Sequence, residues 1–159
     1  MNNIHFYNIE SGKHEYCNMS DWCLMHCQSF VAQVIIVLKL VGLPIAFSMK
    51  GSDGDGYIIA DDESFNNKFS MAHEEGHLKL GHYDSSANVK IDEFGLLMDD
   101  DAEMAADKYA IEHGASKQLA LDTISTMLDN VNADLIPDKF LILKSKLGLA
   151  RRMLNIANL

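Results

Sequence analysis

The chain has 159 residues, 48% of them hydrophobic, which suits one folded domain with its own core and leaves little room for a second. Its formal charge of −10 argues against direct contact with nucleic acid, because phosphate recognition needs clustered Lys and Arg.

The opening segment "MNNIHFYNIESGKHE" has no basic start followed by an apolar core, so no signal peptide is expected and the protein should stay in the cytoplasm. Cys17, Cys23 and Cys27 lack the paired short spacing of structural zinc motifs. They read as buried thiols. A helix is expected over about Ser20 to Val41. The apolar run Phe30 to Met49 is interrupted by Gln33, Lys39, Gly42 and Pro44 and falls short of the ~18 residues of a membrane span, so no membrane partner is expected.

Pro44 to Met49 and Tyr57 to Ala60 read as strands, joined by the turn "KGSDGDG". Asp53 and Asp55 in that turn lack the carboxylate at the twelfth loop position that an EF-hand requires, so calcium is not expected.

Next comes "FSMAHEEGHLKLGH", Phe69 to His82, on a helix expected from about Asn67 to Leu80. His73 and His77 lie about 40° apart on its surface and roughly 6 Å apart along its axis, so both imidazoles can reach one ion. Glu74 projects beside them, where a carboxylate can exchange a proton with metal-activated water without being a ligand, the logic of H-E-x-x-H. Glu75 points away. His82, about 140° around from His77, misses ligand spacing; with Gly81 ending the helix, it reads as a cation or carbonyl partner at that end. A polar loop over His82 to Met98 could edge the cleft.

The third ligand is expected in "DDDAEMAADKYAIEHGAS", Asp99 to Ser116. The acidic start suits a helix N-terminus, and the alanines give high propensity before Gly114 ends the run. Glu103 and Asp107, four apart, look out from one face. The alanines let this helix approach the His73–His77 helix at Gly76, whose presence in mid-helix costs about 1 kcal/mol and suggests a packing reason. Glu103 is the expected ligand. Asp107 would accept a hydrogen bond from the far ring nitrogen of His73 or His77. Asp84, Asp92, Glu93 and His113 compete as ligands without a spacing argument. Downstream, Ser116 opens a helix with Leu119, Ala120, Ile124, Met127 and Val131 on its apolar face. Pro137 suits the first turn of a final helix whose apolar face is read as Phe140, Leu143, Leu147, Ala150 and Leu154. Lys139, Lys144, Lys146, Arg151 and Arg152 read as a solvated basic face.

"HEEGHLKLGH", followed 26 residues beyond His77 by the E-x-x-A-D-x-Y-A run from Glu103 to Ala110, resembles a gluzincin metallopeptidase. It is most similar to the ImmA/IrrE-type metallo-endopeptidases, while its A-D pair is similar to the HtpX and CAAX-prenyl-protease family. The resemblance implies one zinc per chain on His73, His77 and Glu103, and Glu74 as the catalytic acid/base. It also implies a zincin-like α+β domain over residues 1–159, with a small β-sheet beside a helical core and the H-E-x-x-H motif on the active-site helix.

The expected activity is zinc-dependent endopeptidase hydrolysis of a protein or peptide, with regulatory proteolysis as the implied role. An oxyanion donor is left open among Tyr57, Tyr83, His82, Tyr109 and His113. A strand such as Gly56 to Ala60, if it is an edge, would pair with extended substrate. Alternatives are an inactive zinc-stabilised peptide- or protein-binding module, and a zinc amidohydrolase of a small substrate. Mn²⁺, Co²⁺ and Ni²⁺ also suit a His₂Glu site.

Overall fold

A computed structural model describes residues 3–10, 36, 38, 44–51, 53–87, 99–131 and 139–159. The three cysteines, Asp92, Glu93, Pro137 and most of the helix expected over Ser20 to Val41 lie outside these residues; Ile36 and Leu38, within that helix, are helical. The architecture is α+β. Three strands, β1 (Ile4–Asn8), β2 (Ala46–Lys50) and β3 (Gly56–Ala60), form one sheet in the order β1-β3-β2. After β3, the described residues form α1 (Asp62–Phe65), α2 (Lys68–Lys79), α3 (Asp100–Glu112), α4 (Lys117–Asn130) and α5 (Lys139–Ala157).

β2 and β3 form the expected antiparallel hairpin, Ala46 opposite Ala60 and Lys50 opposite Gly56. β1, which the sequence reading did not identify, adds in parallel to the other side of β3. Its sequence "IHFYN" is β-branched and aromatic, the composition that suits a pleated surface. The strand Gly56 to Ala60 is therefore central and buried at all five positions, so it is not an edge that a substrate could extend. Among the described residues the strand with one open side next to α2 is β2.

Strand register sorts the side chains into two faces. Tyr7, Ile59 and Phe47 share one, where Phe47 and Ile59 pack with Leu38. Ser48 lies on the other, against α2.

α2 begins at Asn67, whose side chain accepts from Ser70 N at 3.0 Å. It ends where Gly81 takes φ +71°: His82 N donates to His77 O (3.0 Å) and Gly81 N to Leu78 O (3.2 Å), which satisfies two terminal carbonyls. Between these caps α2 is buried on both flanks. One side meets the sheet, and Phe69 joins a helical core with Ala110, Ala120, Ile124, Leu149 and Ile156.

α3 starts at Asp99, whose carboxylate accepts from Asp101 N and Ala102 N, with further acidic residues in its first turn. α5 presents a different face from the expected one. Leu143, Leu147 and Leu154 are 64%, 49% and 66% exposed, while Leu149, Arg152 and Ile156 are buried. The helix carries two apolar stripes, and the one containing Arg152 turns inward because Arg152 meets two carboxylates of α3. Among the described residues no helix is long and apolar enough to cross a membrane.

α2 and α3 touch at Gly76. A Cβ there would lie 3.1 Å from Tyr109 Cδ1 and 3.2 Å from Ala106 Cα. The Ala106 contact is backbone and cannot swing away. Gly76→Ala is therefore expected to push α3 off α2 and to lower stability by about 1–3 kcal/mol, read as a lower thermal midpoint together with weaker metal uptake.

Candidate metal centre

The i, i+4 spacing on α2 brings His73 Nε2 within 3.0 Å of His77 Nε2. From α3, Glu103 closes the triangle, with Oε2 3.2 Å from His73 Nε2 and Oε1 3.3 Å from His77 Nε2. An ion held tetrahedrally at about 2.0–2.1 Å places its ligand atoms roughly 3.3 Å apart, so these separations suit a small divalent cation. His73, His77 and Glu103 form a buried to half-buried group able to hold a metal ion.

The far ring nitrogens are engaged in turn. His73 Nδ1 lies 2.8 Å from Asp107 Oδ1, and because a carboxylate only accepts, Nδ1 carries a proton and Nε2 is the nitrogen turned to the centre. His77 Nδ1 lies 2.8 Å from His82 Nδ1. Burial and the neighbouring His77 push the His82 pKa down, so His82 is a neutral acceptor for the His77 N–H and not a cation at the helix end.

Asp107 is fully buried and meets Arg152 bidentately, Nε to Oδ2 at 2.8 Å and Nη2 to Oδ1 at 2.7 Å. Arg152 Nη1 reaches Glu103 Oε2 at 3.0 Å. Burial would raise the pKa of both carboxyls; Arg152 and His73 override it and hold Asp107 below, and Glu103 well below, the usual carboxylate range. Arg152 was read as part of a solvated basic face; it is instead the clamp behind the centre. Three carboxyl groups, Glu74, Glu103 and Asp107, thus gather around one guanidinium, an acidic surplus that suits a divalent cation.

Glu74, next to His73, accepts a hydrogen bond from Ser48 Oγ on β2 at 2.8 Å through Oε2. Ser48 Oγ also lies 3.1 Å from the Tyr83 hydroxyl. Burial, then the Glu74 charge, raise the Tyr83 pKa, keeping its hydroxyl protonated. Sequence reading missed Ser48 altogether, since a serine in a strand gives no local signal.

Of the five oxyanion candidates, the structure brings Tyr83 and His82 to this group. Tyr57 donates to Asp53 and stacks on His5, on the sheet face away from Ser48. Tyr109 points at Glu75 Oε1, 3.4 Å away, and stacks on His113, whose Nδ1 bonds the Tyr109 carbonyl. Asp84, a competing ligand, pairs with Lys50.

Compared with known proteins, the chain matches no family model, no curated protein and no solved structure.

Two outcomes are expected. Protein purified without an affinity tag should carry about one divalent metal per chain by mass spectrometry, and Glu103→Ala should lose most of it. The second concerns protons. Burial lowers the His73 pKa, but Glu103 and the hydrogen bond to Asp107 outweigh it and Arg152, bringing the group up to about 10. In metal-free protein this contribution to stability is complete below about 6.5 and is lost as pH rises through about 10, so the thermal midpoint should fall over that window. Metal binding displaces the His73 proton, so apparent metal affinity should rise by up to about tenfold per pH unit over the same window.

Proposed function

We propose that this chain is a zinc-dependent metallo-endopeptidase of the gluzincin type, with a zincin-like fold. The observation that carries the reading is the convergence of His73 Nε2, His77 Nε2 and Glu103 beside Glu74, a carboxylate that belongs to the same helix but to none of the three ligand positions. His₂Glu is a donor set of catalytic zinc, which leaves the fourth position for water or substrate. Zinc bound there supplies Lewis acidity, polarising a carbonyl and acidifying water.

The chain's own groups divide the remaining work. Glu74 takes a proton from the attacking water and gives it to the leaving amine. Ser48 occupies Oε2 of Glu74, so Oε1 is left to carry that proton, and the strand fixes where it sits. Because the Ser48 proton goes to Glu74, the protonated Tyr83 hydroxyl donates to Ser48 Oγ in the free protein, and it is the donor assigned to turn to the developing oxyanion when substrate binds. His82 and Asp107 hold the two imidazoles. The substrate strand is assigned to β2, which carries β3 on one side and sends Ser48 to the catalytic carboxylate.

The resemblance of "HEEGHLKLGH" and the Glu103 to Ala110 run to ImmA/IrrE-type enzymes supports limited cleavage of a regulatory protein. The test is zinc-loaded Glu74→Gln against native protein on a pool of unstructured peptides, followed by mass spectrometry. The variant is expected to keep its metal and lose at least about 10²-fold in turnover. Undiminished turnover in that variant would sink the assignment.

A further inference from the structure

Beside Tyr83, whose hydroxyl meets Ser48, lies an open depression of about 320 Å³. Lys50, Lys79 and Asp84 supply its charge, and Leu78 and Tyr83 its walls. Lys50 follows Ser48 by two residues on β2, so the two side chains share a sheet face, about 7 Å apart along the strand. Lys50 Nζ is held by Asp84 Oδ1 at 2.5 Å, and both residues line the depression. Lys79 reaches it from the last turn of α2 and is exposed.

We propose that this depression is a specificity subsite for an Asp or Glu side chain of the extended substrate, two residues from the one that lies beside Ser48. The assignment rests on the peptidase reading only for what is cut; the binding step stands on charge and register. A peptide strand paired with β2 sends the residue opposite Lys50 to the same face as Lys50, into the depression. Two ammonium groups against one carboxylate leave a net positive charge there, on a chain whose formal charge is −10 and whose field otherwise repels acidic peptides. The carbonyl end of α2 would oppose an anion. Its His77 and Leu78 carbonyls are instead consumed by the His82 and Gly81 N–H groups, which blunts that opposition. Leu78 and the Tyr83 ring can cover the methylenes of such a side chain while the lysines meet its carboxylate.

Binding can be read without catalysis. Zinc-loaded Glu74→Gln is incubated with randomised synthetic peptides, and the retained fraction is sequenced by mass spectrometry, in parallel with the same protein carrying Lys79→Glu or Lys50→Glu/Lys79→Glu. Asp and Glu are expected to be enriched about fivefold at one fixed position at low salt, less at high salt. Lys79→Glu should abolish the enrichment and the double variant should turn it towards Lys and Arg. Retention without a positional acid preference, a preference unchanged in both variants, or no retention at all overturns the subsite. Native protein on the same pool reports separately on chemistry. Acid-selective retention without hydrolysis overturns the peptidase reading and keeps the subsite, whereas hydrolysis without acid preference does the reverse.

Discussion

Asp107 is a carboxylate with no access to water, and the arrangement of α2, α3 and α5 follows from keeping it charged. An unpaired carboxylate in such a place costs several kcal/mol, so its two oxygens must be met. Arg152 meets both and His73 shares one, which requires α5 to lie across α3 and α3 to lie across α2. The same guanidinium then reaches Glu103 and turns it towards the histidines. A neighbouring pair, Arg151 with Asp100 at 3.0 Å, joins the same two helices but is exposed on both sides. Exposed pairs contribute about 0–1 kcal/mol, whereas breaking a buried one costs about 3–5 kcal/mol, so the position of α5 is set by Arg152.

This explains why half of the centre was legible in the sequence. His73 with His77, and Glu103 with Asp107, are i, i+4 pairs, and each pair defines a helix face without reference to anything distant. Gly76 among alanine-rich surroundings announced a close crossing. The caps Asn67, Asp99 and Ser116 bracket their helices from local chemistry alone. Arg152 did carry a signal: Leu149, Arg152 and Ile156 fall at i, i+3 and i+7, so a charged residue interrupts one apolar stripe of α5. The Leu143–Leu147–Leu154 stripe has no such interruption and looked the better core. The ion pair reversed that choice, because burying an apolar stripe is worth less than leaving two carboxylates unmatched.

The sheet was less legible, for a different reason. A hairpin is a local object, and β2 and β3 follow from their alternation and the intervening turn. A parallel strand joins its partner only through a long crossover, so nothing near Ile4 to Asn8 in the sequence names β3 as its neighbour. Overlooking β1 left β3 as an apparent edge. Once β1 is placed, the outer strands among the described residues are β1 and β2, and β2 is the one that packs on α2 through Ser48.

That shift changes what a bound strand would do. Ser48 belongs to β2, and its hydroxyl is the tie between the sheet and Glu74. Under the proposed reading Glu74 is an acid/base group, whose positional tolerance is about 0.5 Å, so the register of β2 against α2 would set whether it can serve. A peptide added to β2 would lengthen the ladder that holds Ser48 and restrict the strand's motion at the residue that orients the carboxylate. Under the proposed reading, substrate pairing and catalytic alignment are then one event, because the backbone that receives the peptide also carries the hydroxyl that positions Glu74.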